Sequence, residues 1–248
     1  MAHKSEPTAK SETSAAPKAD PRAAIVDALL KLVAEQRFED ITITDICAEA
    51  KVSLADFRDL FPSKGAVLGG FSRRIDRAVL QHRAEDNLDE AAKERLFDVL
   101  MRRLEAMAPY RDALREVTQY LRRAPMAALA FNQALVNSMR FMLEAAGIAH
   151  EGPAGAIKLQ GLVFAWAHIV DVWLADEEPG LAKTMAELDR VLTRGEKSVG
   201  ALEWLDDFAA PFKALTRAVF ETRRRAAENF RRRPRSAGHE SEPGAERF

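Results

Sequence analysis

The sequence predicts an all-α protein, and three observations carry that reading. Leu and Ala abound while Gly (12) and Pro (11) are few, a composition that favours helix over strand. Apolar residues recur three and four positions apart over long stretches, as one face of a helix requires. Breakers such as "MAPY", "RRAPM", "DEEPG" and "RGEKSVG" fall between those stretches, where they end helices.

The chain has 248 residues, 47% of them hydrophobic, enough for a sizeable core in one large domain or two small ones sharing an interface. A formal net charge of −1 gives no global basic field to draw it to nucleic acid or an anionic membrane. The single cysteine, Cys47, excludes an internal disulfide and suits a reducing cytoplasm. Lacking metal-ligand partners in sequence, it reads as a small buried hydrophobe. "MAHKSEPTAKSETSAAPKAD" contains no apolar stretch of the kind a signal peptide needs. Residues 1–20 read instead as a disordered tail. The longest uncharged run, Ala124 to Met139, carries Asn132, Gln133 and Asn137, which argues for a buried helix or pocket wall rather than a membrane span. A soluble, cytoplasmic protein is expected.

From Pro21, Val26, Leu29, Leu30 and Val33 form one helical face. After "RFEDI", two capping boxes follow in succession, Thr42 with Asp45 and Ser53 with Asp56. In each, the hydroxyl accepts an amide three residues on and the acid reaches back to the cap amide. With "EAKV" between them they open two short helices joined by a tight turn, the outline of a helix-turn-helix. A longer helix is predicted from about Lys64 to Arg83, then a linker, "RAEDNLDEA". Further helices are placed at 90–107, 109–123, 126–146, 154–175, 179–195 and 201–228. The resulting domain reading is 21–83, 90–228 and a basic, mostly disordered tail at 229–248.

In "IVDALLKLVAEQRFEDITITDICAEAKVS", then Phe61 and Ser63-Lys64, the chain resembles the DNA-binding domain of the TetR/AcrR family of transcriptional regulators over about residues 22–72. The resemblance implies a small N-terminal three-helix domain joined by a fourth helix to a larger helical domain that binds ligand and dimerises. It places Thr42 and Ser53 at capping positions that can also donate to DNA phosphates, and Ile46, Ala50 and Val52 at buried positions. Phe61 takes an aromatic core position, and Lys64 the position whose ammonium meets a phosphate. Leu54, Ala55 and Arg58 complete the expected DNA-binding set. Amides at a helix start plus a Lys suit a phosphate oxygen and fix register without reading sequence.

The chain departs from that family pattern at three places. Lys51 stands where glycine is usual, at a cost on the order of 1 kcal/mol if the turn is left-handed. Arg58 replaces the usual tyrosine and is able to bind guanine bidentately. Asp56 and Asp59 would face a polyanion. Residues 21–82 hold nine basic and nine acidic side chains, a zero balance where counterion release normally supplies affinity.

The helix from 154 is apolar almost all round, with Leu162, Val163, Phe164, Trp166, Ile169, Val170, Trp173 and Leu174. Such a helix is buried on more than one side, against a subunit partner or within one large core. A homodimer interface is expected at Trp166, Val170, Trp173 and Leu174. Gln119, Asn132, Gln133, Asn137, Trp166 and His168 are the candidate lining of a pocket for a small hydrophobic ligand or lipid. His168, three residues before Asp171, reads more readily as a satisfied core or interface histidine.

A second resemblance is carried by "RLFDVLMRRLEAMAPYRDAL" and "DVWLADEEPGLAKTMAELDRVL", which look like segments of the TetR-fold lipid-binding accessory protein of ubiquinone biosynthesis. It implies action at a membrane surface without sequence-specific DNA binding. The predicted last helix fits peripheral membrane contact, with Trp204, Leu205, Phe208, Phe212, Leu215 and Val219 on one stripe. Seven arginines with one acid follow between Arg223 and Arg235. A surface helix with a solvated tail has the same pattern.

No Gly-rich phosphate loop, metal-ligand spacing or nucleophile elbow occurs in the sequence. The expectation is therefore a non-enzyme without cofactor or metal: a ligand-responsive regulator, a repressor, that binds operator DNA as a homodimer. The lipid-binding accessory protein is the alternative.

Overall fold

The computed structural model describes residues 20–81 and 89–197. Asp20 starts the first helix by accepting the Arg22 amide at 3.0 Å, and Pro21 sits where a missing N–H costs nothing. This helix, α1 (Pro21–Glu35), buries Ile25, Val26, Leu29, Leu30 and Val33, which includes the whole predicted face. Two short helices follow, α2 (Ile43–Ala50) and α3 (Leu54–Leu60), each opened by a formed capping box. Between them Lys51 is left-handed, with φ 55° and ψ 42°. The turn thus keeps the conformation that glycine normally serves and a lysine accepts it at a cost.

The fourth helix, α4 (Lys64–Gln81), closes this head. A Cβ at Gly70 would lie 2.8 Å from the ring of Phe61, so glycine is what lets α4 seat on that ring. Phe61, Phe57, Ile25, Ile46 and Val67 are all buried there.

Five further helices form the C-terminal bundle: α5 (Ala92–Met107), α6 (Arg111–Arg123), α7 (Pro125–Ala145), α8 (Gly152–Ala175) and α9 (Ala182–Lys197). A 3₁₀ turn, Ala108–Tyr110, separates α5 from α6. All nine helices described lie in one compact unit, and no strand occurs among the described residues. The predicted all-α class and helix order hold. The start of α9 moves from 179 to Ala182, because Leu181 is left-handed (φ 50°). Asp176 accepts the Thr184 amide at 2.9 Å and its hydroxyl at 2.7 Å, which anchors the first turn of α9. The tails, the linker residues 82–88, the predicted helix 201–228 and the Arg223–Arg235 cluster lie outside the described residues.

Arginines fasten the helix ends. The Arg111 guanidinium donates to Trp173 O and Asp176 O while lying over the Trp173 ring at 4.9 Å, and Arg115 donates to Leu174 O at 3.2 Å. The carbonyls left open at the C-terminus of α8 thereby find donors. By length and hydropathy α8 could cross a membrane. Its apolarity is accounted for by packing against α6, α7 and α9, with Trp166, Ile169 and Trp173 buried.

One polar cluster sits inside this packing. Arg103 of α5 is 2% exposed. Its guanidinium donates to Asp76 and, at 3.3 Å, to Ser72 Oγ, both on α4. Ser138 of α7 donates to the same Asp76 oxygen at 2.7 Å, and the Trp166 ring of α8 lies 5.3 Å from the guanidinium carbon. Four helices thus meet at one buried ion pair.

Candidate nucleic-acid interface

The helix-turn-helix presents one face of α3 to solvent and anchors the other. Phe57 is 2% exposed and packs near Phe61, with ring centroids 6.1 Å apart. On the outer side Leu54 is 61% exposed, and Ala55, Asp56, Arg58 and Asp59 are exposed with it. The hydrophobic pattern therefore fixes which side chains meet a partner. Lys51 and Arg58 hold no ion pair among the described residues, whereas Lys31 is bound to Glu49, Arg37 to Glu39 and Arg74 to Asp27. Among the described residues the cations of the head with neither an ion pair nor a side-chain hydrogen bond are these two, at the turn and on α3, and Arg73 and Arg77 on α4. Asp59 shares the outer face of α3.

Thr42 and Ser53 are committed locally. Each hydroxyl donates to its cap carboxylate at 2.6 Å and accepts the amide of Asp45 or Asp56, at 3.1 and 3.0 Å. Their donors are spent on Asp45 and Asp56, so what these helix starts offer a phosphate is exposed amides and dipole. Both carboxyls titrate below their ordinary 3.8, first because of the hydroxyl and then the backbone hydrogen bond. A carboxyl depressed in the fold adds stability that is present above its unfolded pKa and lost as pH falls through the folded one. Thermal melts between pH 5 and 2 are expected to show this loss below pH 4, and the Asp45→Asn/Asp56→Asn variant should show a smaller acid-side decline.

Lys64 has a structural role that its position in the sequence did not reveal. Its ammonium donates to Phe38 O at 2.5 Å and Ile41 O at 2.6 Å and lies 4.5 Å from the Phe38 ring centroid. Burial pushes its pKa down. In this structure the ammonium expected at a phosphate clamps the α1–α2 connection. Phe38, on its other contacts, stacks on Tyr120 of α6 at 4.5 Å and donates its amide to Glu116 at 3.2 Å, which ties the head to the bundle. Lys64→Ala is expected to cost about 1–3 kcal/mol in chemical denaturation, the penalty for leaving carbonyls unpaired, and to leave the salt dependence of DNA binding unchanged.

The expected ligand lining is scattered. Gln119 is exposed on α6, and Gln133 and Asn137 are exposed on α7 and bonded to each other at 3.4 Å. Asn132 pairs reciprocally with Gln160 of α8 at 3.2 and 3.1 Å. Trp166 is buried against Arg103, and His168 Nε2 lies 3.0 Å from Glu187 of α9. The amides satisfy one another or water, so their polarity does not mark one shared cavity.

The dimer expectation needs the same correction. Trp166, Val170, Trp173 and Leu174 are 3%, 8%, 1% and 8% exposed, so they belong to the chain's own core and leave no surface for a partner. On α8 Ile157 and Ala167 are exposed, while Gln160, Phe164 and His168 are half-buried, Gln160 against α7 and His168 against α9. Periodicity could not separate these faces because the helix is apolar on nearly all of them.

An open cleft of about 420 Å³ lies between α4 and α7, lined by Arg73, Asp76, Arg77, Leu80, Gln81 and Phe141. Sequence reasoning missed it; the one available signal was the pair of arginines four apart on a helix.

No protein-family model matches the chain, and no curated protein matches it in sequence. Solved structures do share its fold. A TetR transcriptional regulator from Nitrosomonas europaea ATCC 19718 is 24% identical, with a TM-score of 0.56 over 72% of this chain and 99% of that one. A TetR transcriptional regulator from Rhodococcus sp. RHA1 is 18% identical, with a TM-score of 0.51 over 73% of this chain and 97% of that one. The fold is therefore all-α and TetR-like, as the N-terminal residues led us to expect.

Proposed function

We propose that the protein is a cytoplasmic, non-enzymatic transcriptional regulator, a repressor, that binds operator DNA as a homodimer through α2, the Lys51 turn and α3. The observation that carries this reading is the two-sided construction of α3. Phe57 is locked inside while Leu54, Ala55 and Arg58 stand out beside Lys51, as a helix entering a major groove requires. Two heads in a dimer double the contacts available to a head whose charge balance is zero. A small hydrophobic ligand in the bundle would lower DNA affinity by binding one dimer geometry better than the other. Fluorescence anisotropy with duplexes from the chain's own upstream region, across a salt series, tests this. Sequence-selective binding that weakens with salt is the expected result; equal binding to scrambled duplex at low salt would refute it.

A second reading is a lipid-binding accessory protein acting at a membrane surface. The capture of the Lys64 ammonium and of both cap hydroxyls favours it, since those groups are then not available to DNA. Flotation with anionic liposomes that truncation of Arg223–Arg235 abolishes, together with no selective DNA binding, is the outcome that would select this reading.

A further inference from the structure

From the cleft between α4 and α7 we infer a binding site for a single-chain amphiphile with one negative charge, a long-chain carboxylate. The inference rests on the reading that the bundle takes a small hydrophobic ligand, and gives that ligand a place and a headgroup.

Arg73 and Arg77 stand four residues apart on the exposed side of α4, so their guanidiniums project from neighbouring turns. Neither holds an ion pair or hydrogen bond among the described residues, unlike Arg74 between them, which is bound to Asp27. Two free planar forks at this spacing suit one carboxylate. The third charged lining residue, Asp76, is already engaged by Arg103 and Ser138 and offers a ligand no acid chemistry of its own. With the Asp76 charge balanced by Arg103, the two arginines are the unpaired charges of the lining, and their forks suit a planar carboxylate.

The rest of the lining is the amide of Gln81 and two apolar side chains. Leu80 is half-buried, and Phe141 on α7 is 52% exposed, a large ring left in water that an alkyl chain would cover. The cleft, about 420 Å³, is open to solvent along one side. α4 and α7 touch closely where a Cβ on Gly69 would lie 3.7 Å from Ala134, and are tied again by Asp76 and Ser138. Lining residues Leu80, Gln81 and Phe141 come after those ties on their helices. An occupant would therefore bear on the C-terminal half of the helix whose first turn clamps the DNA-binding head.

The test uses the full chain and the fluorescent eighteen-carbon acid cis-parinarate. Arg73→Gln/Arg77→Gln should weaken its binding at least tenfold with an unchanged thermal melt, because both side chains are exposed. Its methyl ester should bind the parent chain at least tenfold more weakly than the acid, and Phe141→Asp should also weaken binding. Gln133→Ala/Asn137→Ala should leave affinity unchanged. Equal binding by the parent and the arginine variant would overturn the assignment while leaving a ligand elsewhere in the bundle. No saturable binding by the parent would overturn both. A change in sedimentation on arginine substitution, without any effect on the probe, would assign the cleft to contact between copies and overturn it as well.

Discussion

Asp76→Ala is expected to destabilise the fold by about 3–5 kcal/mol, the cost of leaving one partner of a buried ion pair uncompensated. Arg103 is 2% exposed and Asp76 8%, so water reaches neither well enough to replace the lost partner. Arg103 Nε already lacks a hydrogen-bond partner, and removing the carboxylate would leave its charge held only by Ser72 Oγ and the Trp166 ring. Burial already pulls the Arg103 pKa down, and Asp76 is what opposes that pull. Replacing both by apolar residues of similar volume, Asp76→Leu/Arg103→Met, should recover most of the loss, because the desolvation of the pair disappears along with its attraction. Urea denaturation of Asp76→Leu, Arg103→Met and the double variant gives the coupling directly. Additive losses would show that the pair is not the unit that joins α4 to the bundle. The same variants bear on regulation, since this pair is the buried polar link between α4 and the helices α5 and α7.

How far these features could be read from the sequence depended on whether they were local. The capping boxes and the α1 face are set by residues a few positions apart and appear as expected, and the turn between the boxes is left-handed at Lys51. The ends of α6, α7 and α8 were legible for the same reason, because Pro125, Gly147 and Pro179 punctuate them. What was hidden is what the topology brings together. Lys64 finds carbonyls 23 and 26 residues away, and Arg103 finds Asp76 across two helices. Within α8, composition showed burial without direction, so side chains of the chain's own core were read as a dimer face. The amides on α6 and α7 misled in the opposite sense: polar residues beside apolar ones suggested a pocket, and three of the four are exposed.

Arg58→Ala is expected to weaken operator binding by about 2–6 kcal/mol, or at least roughly thirtyfold. That estimate takes about 1–3 kcal/mol for each bidentate guanine contact and doubles it over two heads. Arg58 is the basic side chain in the outer face of α3, exposed and holding no ion pair among the described residues, so its truncation changes contacts outside the protein without opening the core. Asp59→Ala should act in the opposite direction, tightening binding by about 0.2–1 kcal/mol per head, the scale of exposed charge interactions. Salt dependence then separates two roles for Arg58. A phosphate contact would lower the salt slope by about one per head and weaken all sequences alike, whereas a guanine contact would relax specificity at one base pair. Anisotropy titrations of the operator and of single-base variants, at three salt concentrations, make both comparisons. Unchanged affinity in both variants would mean that α3 meets no polyanion, and that its exposed Leu54 and its acids belong to a head kept for stability while the bundle carries the function.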